Sequence, residues 1–154
     1  LCVLIADQVA SGFCKPFFER LRPSHDPELK DIIHIVNNYR SALYGFCSSH
    51  ASNTFGIATL TCLLFRNKWY AALIYSWAVL NCYSRMYLGV HYPLDIICGA
   101  LVGVAAGYIS YYLYKYVVNK FIYFNADKGV ITNKQVLCVF VVYVLTFVFM
   151  LIRN

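Results

Sequence analysis

Apolar residues gather in long charge-free stretches separated by short polar connections. No Asp, Glu, Lys or Arg occurs in Ser41–Phe65, Trp69–Ser84, Ile96–Tyr114 or Gln135–Ile152. Such lengths approach or reach the ~20 residues that span a bilayer as a helix. Strands of a closed barrel would alternate in polarity, whereas IICGALVGVAAGYIS is apolar on both parities. The pattern therefore predicts an all-α, polytopic membrane helix bundle. Its helical segments are Leu1–Cys14 (the rest of a helix that began earlier), Ser49–Phe65, Trp69–Tyr83, Pro93 to about Val118, and Gln135–Ile152. One or more further N-terminal helices are expected ahead of Leu1. Residues 1–154 read as one domain, with the chemistry-bearing core at 15–107 and a C-terminal spanning helix at 135–152.

The connection from Lys15 to Cys47 is polar, but within it Asp26 and Pro27 precede Leu29, Ile32, Ile33 and Val36. A cap, a first-turn proline and an i, i+3, i+4, i+7 stripe predict a short helix lying along the membrane surface. Gly99, Gly103 and Gly107 recur every fourth residue, a small-residue seam that lets a second helix of the same chain come close. Tyr108, Tyr111, Tyr112, Tyr114 and Tyr116 read as an interfacial aromatic belt.

Composition sharpens this picture. Hydrophobic residues make up 60% of the chain and charged residues 13%, about half the usual ~25%. Disorder, a collagen-like chain and a nucleic-acid module are excluded, so the net charge of +6 speaks to orientation. Alternating spans put Arg66, Lys68, Lys115, Lys120, Lys128 and Lys134 on one side. The opposite side carries Lys15, Arg20, Arg22, Lys30, Arg40, Arg85 and Arg153, diluted by Glu19, Asp26, Glu28 and Asp31. Lys15, Arg22 and Arg85 have a better use described below, so the first side is expected to be cytoplasmic. The seven cysteines lie at least twelve residues apart, without CxxC or zinc spacing, and read as buried free thiols.

Three polar clusters fall on the extracytoplasmic side. In KPFFERLRP, seven helical residues would bring Lys15 and Arg22 to nearly one face, ahead of Pro23. Cys47-Ser48-Ser49-His50 opens the second helix, where hydroxyls cap and free N–H groups point outward. Ser84-Arg85 precedes His91 and Asp95, with Pro93 in the first turn of the fourth helix, so that Asp95 can reach back to His91. Converged, these residues make a phosphate site with a nucleophile and an acid: Arg and Lys hold the non-bridging oxygens, and no metal is needed to supply charge. A neutral imidazole held by a carboxylate can attack phosphorus while a second, protonated imidazole serves the leaving group. His91 with Asp95, and His50, fit those parts. His25 and His34 read as solvated or interfacial, and Asp7 with Gln8 as a polar contact between helices.

The motifs Lys-x6-Arg-Pro (Lys15–Pro23), CSSH (Cys47–His50) and Ser-Arg-x5-His-x3-Asp (Ser84–Asp95) resemble those of the type 2 phosphatidic-acid phosphatase superfamily. These are membrane lipid phosphatases whose soluble relatives include the vanadium haloperoxidases. The resemblance covers Lys15 to about Gly107. Cys47 stands where that family usually has Pro, and Ser49 where it has Gly. The resemblance implies that Lys15, Arg22, Ser48, Ser49 and Arg85 bind phosphate, that His91 becomes a phosphohistidine, that His50 protonates the leaving group, and that Asp95 orients His91. It also implies no metal or other cofactor, a membrane lipid substrate, and a bacterial inner-membrane enzyme facing the periplasm, with no nucleic acid and no obligatory protein partner. Undecaprenyl diphosphate is the first expected substrate. Lipid A, phosphatidate or phosphatidylglycerophosphate hydrolysis, or phosphate transfer between lipids, are the alternatives. A catalytically silent binder of anionic lipid is the non-enzymatic one, and it would need the cations but not His50, His91 and Asp95.

Overall fold

Helix ends in this chain are set by side chains that can be read one at a time. In the computed structural model, residues 1–122 are described except Lys30, Asp31, His34, Asn37, Asn38 and Arg40, and the side chains of Phe121 and Ile122. The fold is all-α: α1 (Cys2–Asp7), α2 (Lys15–Phe18), α3 (Ser49–Phe65), α4 (Lys68–Tyr87) and α5 (Pro93–Val117). A π-helical stretch, Gln8–Cys14, joins α1 to α2 without leaving helical dihedrals, so the first helix runs past Cys14 and carries Lys15 inside it. It stops where Glu19 turns left-handed at φ 45°. Ser48 caps α3, accepting from Ala51 N. Left-handed Arg66 ends α3, and the Asn67 carboxamide oxygen caps α4 by accepting from Trp69 N at 2.9 Å and Tyr70 N at 3.1 Å. Two residues thus reverse the chain. Pro93 opens α5, whose Asp95 carboxylate reaches back to accept from Tyr92 N at 3.0 Å.

The glycine seam works as expected, within the chain. A Cβ at Gly99 would overlap the Ser48 carbonyl, one at Gly103 the Ser52 carbonyl, and one at Gly107 would lie 2.7 Å from Thr59 Cβ. α3 and α5 therefore touch backbone to backbone. α1 closes over both, Cys2 and Ala6 packing with Ala106 of α5 and Leu60 of α3, and Cys82 of α4 packs with Ala51 of α3 and Ile96 of α5. Buried positions are mostly Ala, Gly, Ser, Thr and Cys, while Leu94, Ile97, Leu101, Ile109 and Leu113 of α5 face outward. Small residues inside and large apolar ones outside is the arrangement suited to a bilayer, where lipid is as apolar as Leu and close packing supplies the cohesion. Among the described residues, one helical stretch, Pro93–Lys120, is long and apolar enough to cross a membrane.

Several expectations are corrected. Arg22 is not helical: it lies in an extended loop whose Leu21 bridges Tyr44. The surface helix expected from Asp26 to Val36 is replaced, among the described residues, by turns, with one α-type bond from Ile33 N to Leu29 O. Ile32 is 79% exposed and Leu29, Ile33 and Val36 are only half-buried, so the stripe has less than the full packing that so short a helix needs. Tyr111 is buried and accepts from Arg66 Nη2 at 2.9 Å, whereas Tyr108, Tyr112, Tyr114 and Tyr116 are exposed as a belt would be. The six described cysteines are free thiols. The segment Gln135–Ile152, His34 and Cys138 lie outside the described residues.

Candidate active site

The site sits where α3 and α5 begin and α4 ends. His91 and Asp95 are buried there, their side chains 1% and 0% exposed. His91 Nε2 is 3.1 Å from Arg22 Nη1, and its Nδ1 is 3.4 Å from Asp95 Oδ2. A guanidinium can only donate, so Nε2 is the unprotonated nitrogen and Nδ1 carries the hydrogen toward the carboxylate. Burial pushes the His91 imidazole below its ordinary value. Asp95 pulls the other way, while Arg22 and Lys15 add to the lowering. The outcome is a neutral imidazole whose lone pair lies among cations.

Those cations come from three elements. Arg22 is 5% exposed and fixed by the carbonyls of Tyr44 and Val90, each accepting at 3.1 Å. Lys15 donates to Ser11 Oγ and to Ser49 Oγ, both at 3.1 Å, and Ser11 in turn donates to Asp7 at 3.0 Å. Asp7 therefore anchors the Lys15 ammonium through a relay within its own helix. Arg85, in the last turn of α4, places its charge in range of both Arg22 and His50. His50, exposed in the first turn of α3, lies within electrostatic reach of Arg85, His91, Arg22 and Lys15. The route differs from the expected helical face, yet Lys15 and Arg22 still converge.

Ser48 serves the scaffold first. It is fully buried, its hydroxyl accepts from Ala51 N at 3.4 Å, and its N–H donates to Asp95 O at 3.0 Å. That last bond ties the start of α3 to the start of α5. Ser49 is less buried, and its hydroxyl already meets Lys15. Cys47 packs with Cys14 and Cys98, and burial pushes its thiol up to about 12, so it fills space as a small apolar residue. His25 lies outside the site and donates to the Ser41 carbonyl at 2.8 Å.

Two participants were not foreseen. Arg20 donates to Asp95 Oδ1 at 3.1 Å and lies 4.4 Å above the Tyr92 ring. Gly45 is buried against the site, and a Cβ there would come 3.0 Å from Arg22 Cγ, 3.2 Å from Asp95 Oδ2 and 3.6 Å from His91 Nδ1. Its own N–H donates to Arg20 O at 2.9 Å, in the same ladder that bonds Arg22 N to Leu43 O. The Arg20–Asp95 pair spans 75 residues, and no local spacing announces it.

Over 116 residues the chain is 47% identical to the lipid A 4'-phosphatase of Porphyromonas gingivalis, covering 75% of this chain and 49% of that protein. A lipid A 4'-phosphatase of Bacteroides thetaiotaomicron is 43% identical over 115 residues, 73% of this chain and 51% of the relative. The chain thus spans about half the length of the curated relatives it matches. The crystal structure of Aquifex aeolicus LpxE superposes with a TM-score of 0.59 at 30% identity, over 71% of this chain and 62% of that one. The profile of the PAP2 superfamily matches residues 1–119, which include all three motifs, and the chain therefore belongs to the PAP2 superfamily.

Proposed function

We propose that the protein is a membrane phosphatase that removes a phosphate from lipid A, through a phosphohistidine on His91. The carrying observation is the His91 ring held between Asp95 and Arg22, its lone pair toward the Arg22 guanidinium, where Lys15, Arg22 and Arg85 gather. Likeness to two lipid A 4'-phosphatases supports lipid A over undecaprenyl diphosphate, the first substrate expected from the sequence, which the motifs alone do not separate from lipid A. The outward apolar face of α5 and the span at 93–120 support a setting in the bilayer. Arg66, Lys68, Lys115 and Lys120 lie at the helix ends away from the site, which supports a pocket opening to the periplasm.

The chemistry runs in two displacements. A phosphate entering the pocket replaces His91 as the partner of the Arg22 fork and meets Lys15 and Arg85, so its charge is balanced before reaction. His91 Nε2 then forms the N–P bond as the P–O bond to the lipid breaks. His50, protonated, gives its proton to the departing oxygen. Positive charge arising on the imidazole is met through Nδ1–H by Asp95. In the second step water attacks phosphorus, neutral His50 takes its proton, and phosphate leaves with His91 restored. Ser49, at the start of α3, offers its N–H and hydroxyl to the phosphate, while Ser48, whose N–H is taken by Asp95 O, has only its hydroxyl hydrogen to give.

The test is phosphate release by the full-length protein from lipid A, undecaprenyl diphosphate, phosphatidate and a short soluble ester under one detergent condition, with His91→Ala as control. The lipid A specificity constant should be highest. A soluble ester forgoes the apolar binding of a tail, worth about 0.8 kcal/mol per buried CH₂, and should be poor. Equal turnover of that ester would overturn the lipid reading, and a preference for undecaprenyl diphosphate would replace lipid A.

A further inference from the structure

Asp95 carries more than the bond to His91. Its side chain is fully buried, and its two oxygens have different partners. Oδ2 accepts from Tyr92 N at 3.0 Å and faces His91 Nδ1 at 3.4 Å, while Oδ1 accepts from Arg20 Nη1 at 3.1 Å. Arg20 is held in turn: its guanidinium lies over the Tyr92 ring at 4.4 Å, and Tyr92 OH donates to Asp26 Oδ2 at 2.9 Å. A phenol that donates to a carboxylate gains electron density in its ring, which strengthens the ring's hold on a cation. The order is Asp26, Tyr92, Arg20, Asp95, His91, with the last two buried and Arg20 at 37% exposure closing the chain toward the outside.

Resting on the reading of His91 as the attacking group, we propose that Arg20, seated on Tyr92 and paired with Asp95, is a positioning residue that sets the aim of Asp95 and how much of its charge His91 feels. With both oxygens engaged, the carboxylate cannot rotate about its Cβ–Cγ bond to give His91 a shorter bond. With a guanidinium on Oδ1, part of its negative field is spent on Arg20. Both effects keep the imidazole neutral, which attack requires. The charged groups acting on His91 are Asp95 from α5, Arg22 from the loop after α2, Lys15 from α2 and His50 from α3; behind them Arg20 sits on Asp95, and Arg85 of α4 lies in range of Arg22 and His50. Among the described residues Asp95 is the one anion in that set, and its compensation matters for that reason.

Removing Arg20 should therefore make His91 more basic. Because Arg20 is partly exposed and solvent screens it, the expected rise is about half to one pH unit. The direct measurement is a pH titration of ¹⁵N-histidine resonances in the full chain, with His91 identified by the signal lost in His91→Gln. In Arg20→Gln the midpoint should move up, and Arg20→Lys should bring it most of the way back. The acid limb of kcat/KM should move in parallel, whereas a purely architectural role would lower activity equally at every pH. Should Arg20→Gln not fold, Tyr92→Leu keeps the backbone N–H to Asp95 but removes the shelf, and should raise the midpoint by a smaller amount. An unchanged or lowered midpoint overturns the proposal. A wild-type protein inert toward every lipid phosphate would sink the function proposed above, yet the titration would still judge Arg20.

Discussion

Gly45→Ala adds one methyl group in a crowded part of the site, against Arg22, Asp95 and His91. The glycine does not occupy the left-handed region, so alanine meets no backbone penalty and the effect is steric. The new Cβ would lie 3.0 Å from Arg22 Cγ, 3.2 Å from Asp95 Oδ2 and 3.6 Å from His91 Nδ1. Carbon contacts are comfortable at about 3.5 to 4.0 Å, so Arg22 must retreat by a few tenths of an ångström, up to about half. Arg22 has little room, because Tyr44 O and Val90 O both hold its guanidinium. Asp95 must give as well, yet its contact with His91 is already 3.4 Å, close to the limit of a hydrogen bond. A misplacement of 1 Å in a catalytic group costs about a hundredfold, so half that distance at two groups predicts a fall in kcat of about 10- to 100-fold. Overpacking of this kind costs about 1–3 kcal/mol of stability, so thermal unfolding is followed alongside steady-state turnover of lipid A. A folded Gly45→Ala protein within twofold of wild type would refute the reasoning, since the methyl would have found room without moving Arg22 or Asp95.

Four further outcomes are expected. His91→Ala should abolish turnover and the acid-labile phosphoenzyme, and a labelled intermediate that survives it would assign the nucleophile elsewhere. His50→Ala should slow phosphoenzyme formation by about 10² to 10⁴ for lipid substrates but far less for esters with activated leaving groups, and equal losses for both would remove the acid role. Burial, Arg22 and Lys15 hold His91 below the ordinary imidazole range, and only the neutral form attacks, so the acid limb of kcat/KM should fall below about pH 6.5; a limb above that value contradicts the site's charge balance. In the proposed mechanism three cations supply the charge compensation, so activity should persist in EDTA and vanadate should compete with substrate, whereas loss in EDTA restored by a divalent ion would show that Lys15, Arg22 and Arg85 do not suffice.

How much of this was legible in the chain depends on how far each signal travels. Caps act over three or four residues, and Ser48, Pro93 and Asp95 announced their helix starts correctly. The glycine period at 99, 103 and 107 reported a close approach, because its spacing is that of one helix face. The three motif clusters were visible because each is local, and their meeting followed from lying on one side of the bundle. Arg20 and Gly45 were not visible. Both matter through contacts made across the chain, Arg20 with a carboxylate 75 residues away and Gly45 with space left between Arg22, Asp95 and His91. A lone glycine in YGFC carries no turn signal, and nothing in KPFFERLRP separates Arg20 from a solvated charge. The expectation that helix geometry aligns Lys15 with Arg22 failed at Glu19, whose left-handed backbone ends the helix. Arg22 reaches the site instead because the loop is pinned by Leu43 O, Tyr44 O and Gly89 O.

The seam and the site are one device. Helices α3 and α5 are separated by α4, which returns the chain, so they run parallel and both begin at the same end. Each contributes the positive end of its dipole there, roughly half an elementary charge apiece. With large side chains between them the two ends would stand too far apart to share an anion. Gly99, Gly103 and Gly107 let the backbones touch, and Ser48 N–H to Asp95 O locks the first turns in register at 3.0 Å. The same contact carries the His50 side of α3 to the start of α5, beside the local His91–Asp95 pair. Small residues that look like mere packing thus set the distance between the proposed acid and the proposed nucleophile, and the polar side chains gathered there occupy a geometry the backbones have already fixed.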